Sequence, residues 1–162
     1  SAALPTEKDK AFTSTSPLKQ ELEITNLLAS EPATLLLVED NADVLYLLMQ
    51  QLKGKYRLMT ATNGKEGIAV ASEQLPDLII SDIMMPEMDG YEFCTQLKMQ
   101  ESTQHIPIIL LTAKADQPSK IEGLQIGVDA YLTKPFDEVE LFVRIAKLLE
   151  KQRLMQQYYQ DK

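Results

Sequence analysis

Short apolar runs alternate with longer segments of helical periodicity from Thr34 onward. The runs are Leu35–Val38, Arg57–Ala61, Leu78–Ile80, Ile106–Leu111 and Ala130–Leu132. This alternation predicts an α/β fold with a five-stranded parallel sheet. The first, third and fourth runs are apolar at successive positions, as strands covered by helices on both faces require. We therefore predict a doubly wound sheet.

The segments between these runs carry residues that begin and end helices. Candidate N-caps are Asn41, Asn63 with Glu66, and Asp137 with Glu140; candidate terminators are Gly54, Pro76 and Gly127. Five helices are predicted: 41–52, one that begins near Asn63 and ends before Pro76, 90–100, 118–126, and one that begins after Pro135.

The two ends of the chain differ from the middle. Residues 1–33 contain Pro5, Pro17 and Pro32 with little apolar periodicity, which predicts a linker that is partly disordered or holds a short helix over 18–29. Residues 34–150 form the predicted domain. Residues 151–162 are predicted to extend the last helix, because neither Gly nor Pro interrupts the chain after Phe136.

Polar residues follow the apolar runs at the points where the strands should end. Glu39 and Asp40 follow the first run, Asp82 follows the third, Thr112 the fourth and Lys134 the fifth. Right-handed crossovers point all these strands the same way, so these residues should meet at one edge of the sheet.

Three neighbouring carboxylates repel one another and favour a bound cation, and oxygen ligands on an open site suit Mg²⁺. Lys134 would add a compact positive charge and Thr112 a hydroxyl. This combination predicts a phosphate-acceptor site with Asp82 as the nucleophile. Taken singly, Glu39 and Asp40 could equally be acidic residues at a helix N-terminus.

Four motifs, in this order and spacing, closely resemble the response-regulator receiver domain of two-component signalling over 34–150. They are Leu36–Asn41 (LLVEDN), Asp82–Gly90 (DIMMPEMDG), Leu111–Ala113 (LTA) and Tyr131–Phe136 (YLTKPF). The resemblance implies a flavodoxin-like sheet of order 2-1-3-4-5. It also implies that Asp82 accepts phosphate from a phosphohistidine of a partner histidine kinase or phosphotransfer domain.

The same resemblance assigns the remaining site residues. Asp40 and Asp82 would bind Mg²⁺ directly, or Mn²⁺ in its place, with Glu39 acting mainly through water and Met84 through its backbone carbonyl. Lys134 would contact the phosphate and precede a cis peptide bond to Pro135. Thr112 and Tyr131 would form a switch pair that alters the face made by the fourth helix, fifth strand and fifth helix (α4-β5-α5). Homodimer formation is expected through that face or through the C-terminal helix.

Composition narrows the functional classes. The net charge is -8 and the pI about 4.7, so we expect no direct nucleic-acid contact by this domain, because such surfaces are basic. Cys94 is the single cysteine, which excludes an internal disulfide and fits a reducing compartment. A free cysteine usually packs as a small apolar residue, and we expect this for Cys94. No apolar run approaches the ~20 residues of a membrane helix. We expect a cytoplasmic location. This expectation also covers the case in which the domain is the cytoplasmic part of a membrane-anchored sensor.

The last predicted helix carries apolar residues at alternating spacings of four and three. They are Leu141, Ile145, Leu148, Met155 and Tyr159, with Gln152 as a polar break. The first half should pack on the sheet, whereas the second half is either a frayed tail or a helix that dimerises or leads to an output domain. With its linker and its long last helix, the chain resembles a receiver from a hybrid sensor kinase.

Two other functions compete with the phosphoacceptor switch. A phosphorylation-silent receiver could act only in docking or dimerisation. A phosphohydrolase of the haloacid-dehalogenase type is less favoured, because such enzymes place an Asp-x-Asp pair after the first strand. A receiver is not an ordinary enzyme, since at most it catalyses its own phosphorylation and dephosphorylation. His105, the only histidine, is expected in a loop or at a strand edge, so the phosphate donor would be another domain.

Overall fold

A computed structural model of the protein describes residue 17, residues 31–113 and residues 127–160. The chain divides into two compact units, Ser1–Pro32 and Ala33–Lys162. The predicted helices over 18–29 and 118–126 lie outside the described residues. All of the secondary structure below belongs to the second unit.

Five parallel strands form one sheet of order β2-β1-β3-β4-β5, which confirms the predicted fold. Their bounds are β1 Thr34–Val38, β2 Arg57–Ala61, β3 Leu78–Asp82, β4 Ile108–Ala113 and β5 Ala130–Lys134. The fourth strand begins two residues later than predicted, because Pro107 has no N–H to donate and its carbonyl accepts from Ile79 instead.

Four helices lie in the described part of the chain: α1 Ala42–Leu52, α2 Gly64–Gln74, α3 Gly90–Lys98 and the C-terminal helix Glu138–Gln160. The third is two residues shorter than predicted. None of the helices in this part of the chain is long and apolar enough to cross a bilayer.

The predicted N-caps are confirmed, with one difference of detail. Asn41 Oδ1 accepts from the backbone N–H groups of Asp43 and Val44 at 2.9 and 3.2 Å. Asn63 Oδ1 accepts from Glu66 N at 2.8 Å, but the Glu66 carboxylate accepts from Thr62 instead of returning to Asn63. The expected capping box has its acidic side chain bonded to the N-cap residue, whereas here Glu66 bonds to the residue before the N-cap.

Two further helix ends follow from the residues that surround them. Asp137 Oδ1 accepts from Val139 N at 3.0 Å at the start of the C-terminal helix. The second helix ends at Gln74 and is capped by Leu75, whose φ of 48° is left-handed, because the following Pro76 disfavours helical geometry at the residue before it.

Side chains alternate between two core clusters, one on each face of the sheet. Leu35, Leu37 and Ile80 pack with Leu48 of α1 and with Leu141 and Ile145 of the C-terminal helix; this is cluster 1. On the other face, Leu36, Ile79 and Leu110 pack with Ala71 of α2 and Phe93, Cys94 and Leu97 of α3; this is cluster 2. The sheet is thus buried on both faces, as its continuous apolar strands require.

Cys94 packs in cluster 2 with no exposed area, and burial raises the pKa of its thiol to about 11. The expectation of an apolar packing role is confirmed. His105 is exposed in the turn before β4, at the amino-terminal edge of the sheet, as expected for a loop residue.

The C-terminal helix follows the predicted apolar seam only in its first half. Leu141 and Ile145 are fully buried, Leu148 and Gln152 are half-buried, and Met155 is 44% exposed. The side chain of Tyr159 lies outside the described part of the structure. Among the side chains described in the last turns, the most exposed large apolar ones, Leu154 and Tyr158, lie beside the seam and not on it.

Candidate functional site

Glu39, Asp82 and Lys134 meet at the carboxyl edge of the sheet on the face of cluster 1. Glu39 directly follows β1, while Asp82 and Lys134 end β3 and β5. The residues two positions earlier, Leu37, Ile80 and Leu132, all belong to cluster 1. Because side chains in a strand alternate between the two faces, the three polar residues continue that face beyond its apolar part.

Lys134 contacts both acidic residues across the strands between them, β4 in the case of Asp82, and β3 with β4 in the case of Glu39. Its Nζ lies 3.2 Å from Glu39 Oε1 and 3.2 Å from Asp82 Oδ2. Strands β3 and β5 flank β4, so their backbones are separated by roughly 10 Å, two strand spacings. Ala113 is the β4 partner of Lys134, and its small side chain allows the long lysine to reach across.

Glu39 is the most deeply buried charged residue of the site, with 1% of its surface exposed. Its Oε1 accepts from Lys134, whereas its Oε2 is buried without a hydrogen-bond partner. Burial, together with the nearby Asp82 carboxylate, raises the pKa of Glu39 to about 7, although Lys134 partly opposes the shift. The metal-free site therefore holds a carboxyl group that is easily protonated near neutral pH.

The electrostatics of Lys134 follow from the same contacts. Burial lowers the pKa of its ammonium group, but the charges of Asp82 and Glu39, and its hydrogen bonds to both, outweigh burial and raise the pKa above the usual value. Lys134 therefore stays protonated over the physiological range and supplies a fixed positive charge beside Asp82.

The chemistry of the donor set fits a divalent cation. Ligand oxygens of Glu39, Asp40 and Asp82 all lie within 4.8 Å of one another. Asp40 is exposed at the rim, Asp82 is 8% exposed, and the buried Oε2 of Glu39 has a lone pair with no donor. An all-oxygen cluster with an open side is the environment that Mg²⁺ prefers, because this ion retains several waters.

The loop after Asp82 returns the chain to the start of α3. The backbone N–H of Met84 donates to Asp82 Oδ1 at 3.4 Å, while the Met84 side chain is 63% exposed. Met85 is buried and Met88 is partly buried against cluster 2, so of the three methionines Met84 has the most exposed side chain beside the site.

Sequence reasoning missed the residue that caps α3 at the end of this loop. Asp89 Oδ1 accepts from Glu92 N at 2.8 Å. The sequence does contain the capping pattern here. Asp89 is followed three positions later by Glu92, the same spacing as in the predicted cap of Asp137 with Glu140.

Thr112 and Tyr131 lie on the same face of the sheet on neighbouring strands. Leu110 pairs with Tyr131 in the β4–β5 register, and Thr112 is two residues farther along β4. Thr112 is 2% exposed and its Oγ1 donates to the carbonyl of Ala113 at 3.0 Å. Tyr131 is half-buried against cluster 2. The peptide bond between Lys134 and Pro135 is cis, in agreement with the expectation.

Comparison with known proteins gives matches over most of this domain. The sequence profile described as "Response regulator receiver domain" matches residues 35–146. Curated relatives include Histidine kinase P4 of Formosa agariphila, 41% identical over 84% of this chain, and the response regulator PleD of Caulobacter vibrioides, 41% identical over 72%. The chain spans 10% and 26% of the lengths of these two proteins.

Solved structures give the same result. A putative response regulator from Chloroflexus aurantiacus is 36% identical with a TM-score of 0.71, and the match covers 74% of this chain and 99% of that one. The receiver domain of a sensor histidine kinase from Pseudomonas aeruginosa, solved with a magnesium ion coordinated in its active-site cleft, is 32% identical with a TM-score of 0.68; the match covers 74% of this chain and 98% of that one. With its sheet order, its four motifs and these matches, the chain belongs to the response regulator receiver domain family of two-component signalling.

Proposed function

We propose that this domain is a Mg²⁺-dependent phosphoacceptor switch in which Asp82 receives a phosphoryl group from the phosphohistidine of a histidine kinase or phosphotransfer domain. The observation that carries the proposal is the arrangement around Asp82. One ammonium group contacts both Asp82 and Glu39 at 3.2 Å, inside a group of three carboxylates.

The reaction is a phosphoryl transfer between two residues. A carboxylate oxygen of Asp82 attacks the phosphorus atom, the new P–O bond forms as the P–N bond to the donor imidazole breaks, and the released imidazole nitrogen takes up a proton from solvent. The product is an acyl phosphate on Asp82. Lys134 is already positioned to balance the charge on the phosphoryl oxygens, so little reorganisation is required during transfer.

Asp40 and Asp82, with the Met84 backbone carbonyl, would hold the cation directly, and Glu39 would act mainly through water. When bound, Mg²⁺ would neutralise charge on the carboxylates and on the phosphoryl oxygens. The partnerless Oε2 of Glu39 supports this assignment, because a buried carboxylate oxygen without a donor is unfavourable unless a cation or water satisfies it.

The output of the switch would depend on Thr112 and Tyr131. Their shared face and adjacent strands support a coupled movement, in which the Thr112 hydroxyl leaves the Ala113 carbonyl for the phosphate and the Tyr131 ring turns inward. This would change the face that contains β5 and the C-terminal helix.

We place this domain within a longer signalling protein, because the curated relatives it matches are much longer than this chain. The match to a histidine kinase supports a hybrid-kinase origin, and a cytoplasmic location belongs to the same proposal. The division into a linker over 1–33, a receiver over 34–150 and an extension over 151–162 remains a prediction. So does homodimer formation through the α4-β5-α5 face or the C-terminal helix.

The decisive experiment is labelling of the purified chain with phosphoramidate and Mg²⁺, followed by intact mass spectrometry. We expect the addition of one phosphoryl group, its loss on treatment with hydroxylamine, and no addition to Asp82→Asn. Glu92→Gln, a change at an exposed carboxylate in α3, is the matched control and should be labelled normally. Labelling that survives Asp82→Asn would contradict the proposal. If wild type neither takes up phosphate nor binds Mg²⁺, the docking function of a silent receiver is favoured.

A further inference from the structure

The main chain of Asp82 is in close contact with the first residue of α3. A methyl group added at Gly90 would lie 2.6 Å from the carbonyl oxygen of Asp82 and 2.8 Å from Cα of Ile83. Both distances are far below van der Waals contact, and both involve backbone atoms that cannot rotate away. Only a residue without a side chain fits at this position.

The other glycines in the described residues do not touch the site in this way. A methyl group at Gly64 would meet the flexible end of Met88, one at Gly67 would meet Phe93 and Val38 in cluster 2, and one at Gly54 would meet nothing within 4 Å. All three of these helical glycines lie in close contacts, but only at Gly90 does the contact involve the backbone of Asp82 and Ile83.

A second contact holds the same carbonyl group. The hydroxyl of Ser81, which is fully buried, donates to Asp82 O at 3.0 Å. On the sheet side, Ile83 N donates to the carbonyl of Leu111 at 3.1 Å. The end of β3 is thus fixed by its neighbouring strand, by a buried hydroxyl and by the close approach of α3.

The loop between Ile83 and Gly90 is closed by its own hydrogen bonds. Gly90 N donates to Ile83 O at 2.8 Å, and Met88 N donates to Pro86 O at 2.7 Å. The hydrogen bond from Met88 to Pro86 closes a γ-turn with Glu87 at its centre. Glu87 has a φ of 69°, which identifies the rare and strained form of this turn. Strain of this kind persists where surrounding contacts hold the backbone in place.

We infer that Gly90 and Ser81 are positioning residues for phosphoryl transfer: together they fix the main chain of Asp82, and with it the loop that carries Met84, relative to Lys134. This inference rests on the proposed phosphoacceptor function of Asp82. Its physical basis is that Lys134 is anchored separately on β5, so any shift at the end of β3 changes the Asp82–Lys134 geometry directly. Neither Gly90 nor Ser81 touches the phosphoryl group.

The test compares Gly90→Ala with Gly67→Ala in the full chain. Both substitutions introduce a steric clash, but only the first clashes with the site backbone. The rate constant for labelling by phosphoramidate, per folded molecule at saturating Mg²⁺, should fall by about tenfold or more in Gly90→Ala, because a misplacement on the order of 1 Å can cost ~100-fold. The half-saturating Mg²⁺ concentration should rise as well. Gly67→Ala should keep both values within about twofold of wild type.

Three results decide the inference. Wild-type rates in Gly90→Ala, or an equal loss in Gly67→Ala, would overturn it, because the contact would then matter only for stability. If Gly90→Ala does not fold, Ser81→Ala replaces it, with an expected loss of about threefold in rate; an unchanged rate overturns the inference.

Absence of labelling in wild type would refute the proposed function instead. The positions of the Asp82 and Ile83 amide resonances would then decide the inference. They should shift more in Gly90→Ala than in Gly67→Ala, and equal shifts would overturn it.

Discussion

Lys134 Nζ lies 3.2 Å from Asp82 Oδ2, although the two residues end strands that are separated by β4. The same ammonium group lies 3.2 Å from Glu39 Oε1, which follows β1. One positive charge is therefore shared between two carboxylates, one buried and one at the edge of solvent. The consequences of removing each partner can be measured separately.

Replacing Lys134 with Met should slow labelling of Asp82 by about 100- to 1000-fold, the cost typical of removing one charge-stabilising donor from a catalytic site. The rate constant for phosphoramidate labelling measures this effect. Lys151→Met, a change at an exposed lysine of the C-terminal helix, is the control and should leave the rate unchanged. A Lys134→Met protein that is labelled as fast as wild type would remove Lys134 from its proposed role.

Magnesium should stabilise the folded protein, because a ligand that binds only the native state raises the free energy of unfolding by mass action. At a free concentration of 100 times Kd the gain is about 2.7 kcal/mol, and each kcal/mol is worth roughly 4 °C in Tm for a domain of this size. Thermal denaturation with and without millimolar Mg²⁺ measures the shift, which EDTA should reverse.

The metal assignment has its own control. Asp40→Asn should reduce the Mg²⁺-dependent rise in Tm, whereas Asp43→Asn, at an exposed carboxylate in the first turn of α1, should retain it. A similar rise in both variants would show that the cation binds elsewhere on the protein.

Glu39 should make the metal-free protein less stable as the pH rises. Its pKa is about 7 in the folded state, against 4.5 for an ordinary glutamate, so the folded state holds the proton more tightly. The associated stabilisation is fully present below about pH 4.5 and is lost as the pH rises through about 7. It amounts to about 3 kcal/mol at most, at 1.36 kcal/mol per pKa unit.

Urea denaturation of wild type and Glu39→Gln in EDTA, between pH 5 and 8, tests this titration. The wild type should lose stability relative to the variant over that range, since glutamine cannot ionise. Parallel stability curves for the two proteins would contradict the elevated pKa of Glu39.

The exposed apolar residues at the end of the C-terminal helix should support self-association if this helix mediates the proposed homodimer. Leu154 and Tyr158 are 52% and 57% exposed. Sedimentation should then give a mass that rises with protein concentration, and Leu154→Ser with Tyr158→Ser should abolish the rise. A monomer at all concentrations, with and without a phosphoryl group on Asp82, would exclude self-association by this domain.

Local sequence determined much of the fold. Strands such as Leu35–Val38 and Leu78–Ile80 could be identified because their unbroken apolar character suits burial on both faces. Caps such as Asn41 could be identified because a short polar side chain satisfies the free N–H groups of the first helical turn. Asp89 uses the same chemistry but is absent from the predicted caps, because it lies inside the motif that follows Asp82, where a loop residue and a helix cap have the same local sequence.

The membership of the site was also predictable, because parallel strands with right-handed crossovers bring their carboxyl ends to one edge. For that reason the sequence alone predicts the members of the site, which are Glu39, Asp40, Asp82, Thr112 and Lys134. It does not predict the burial and the contacts of each one. Glu39 and Asp40 are adjacent in sequence, yet Glu39 is 1% exposed while Asp40 is exposed at the rim.

By itself, then, the sequence determined the order of elements, the family and the residues that gather at the edge of the sheet, since these depend on local pattern and chain direction. Only the tertiary structure decided that Lys134 contacts both Glu39 and Asp82, that the pKa of Glu39 rises to about 7, and that Gly90 lies against the backbone of Asp82. The reason is that burial, ion pairing and backbone contact depend on distances between segments far apart in the chain, which no local pattern encodes.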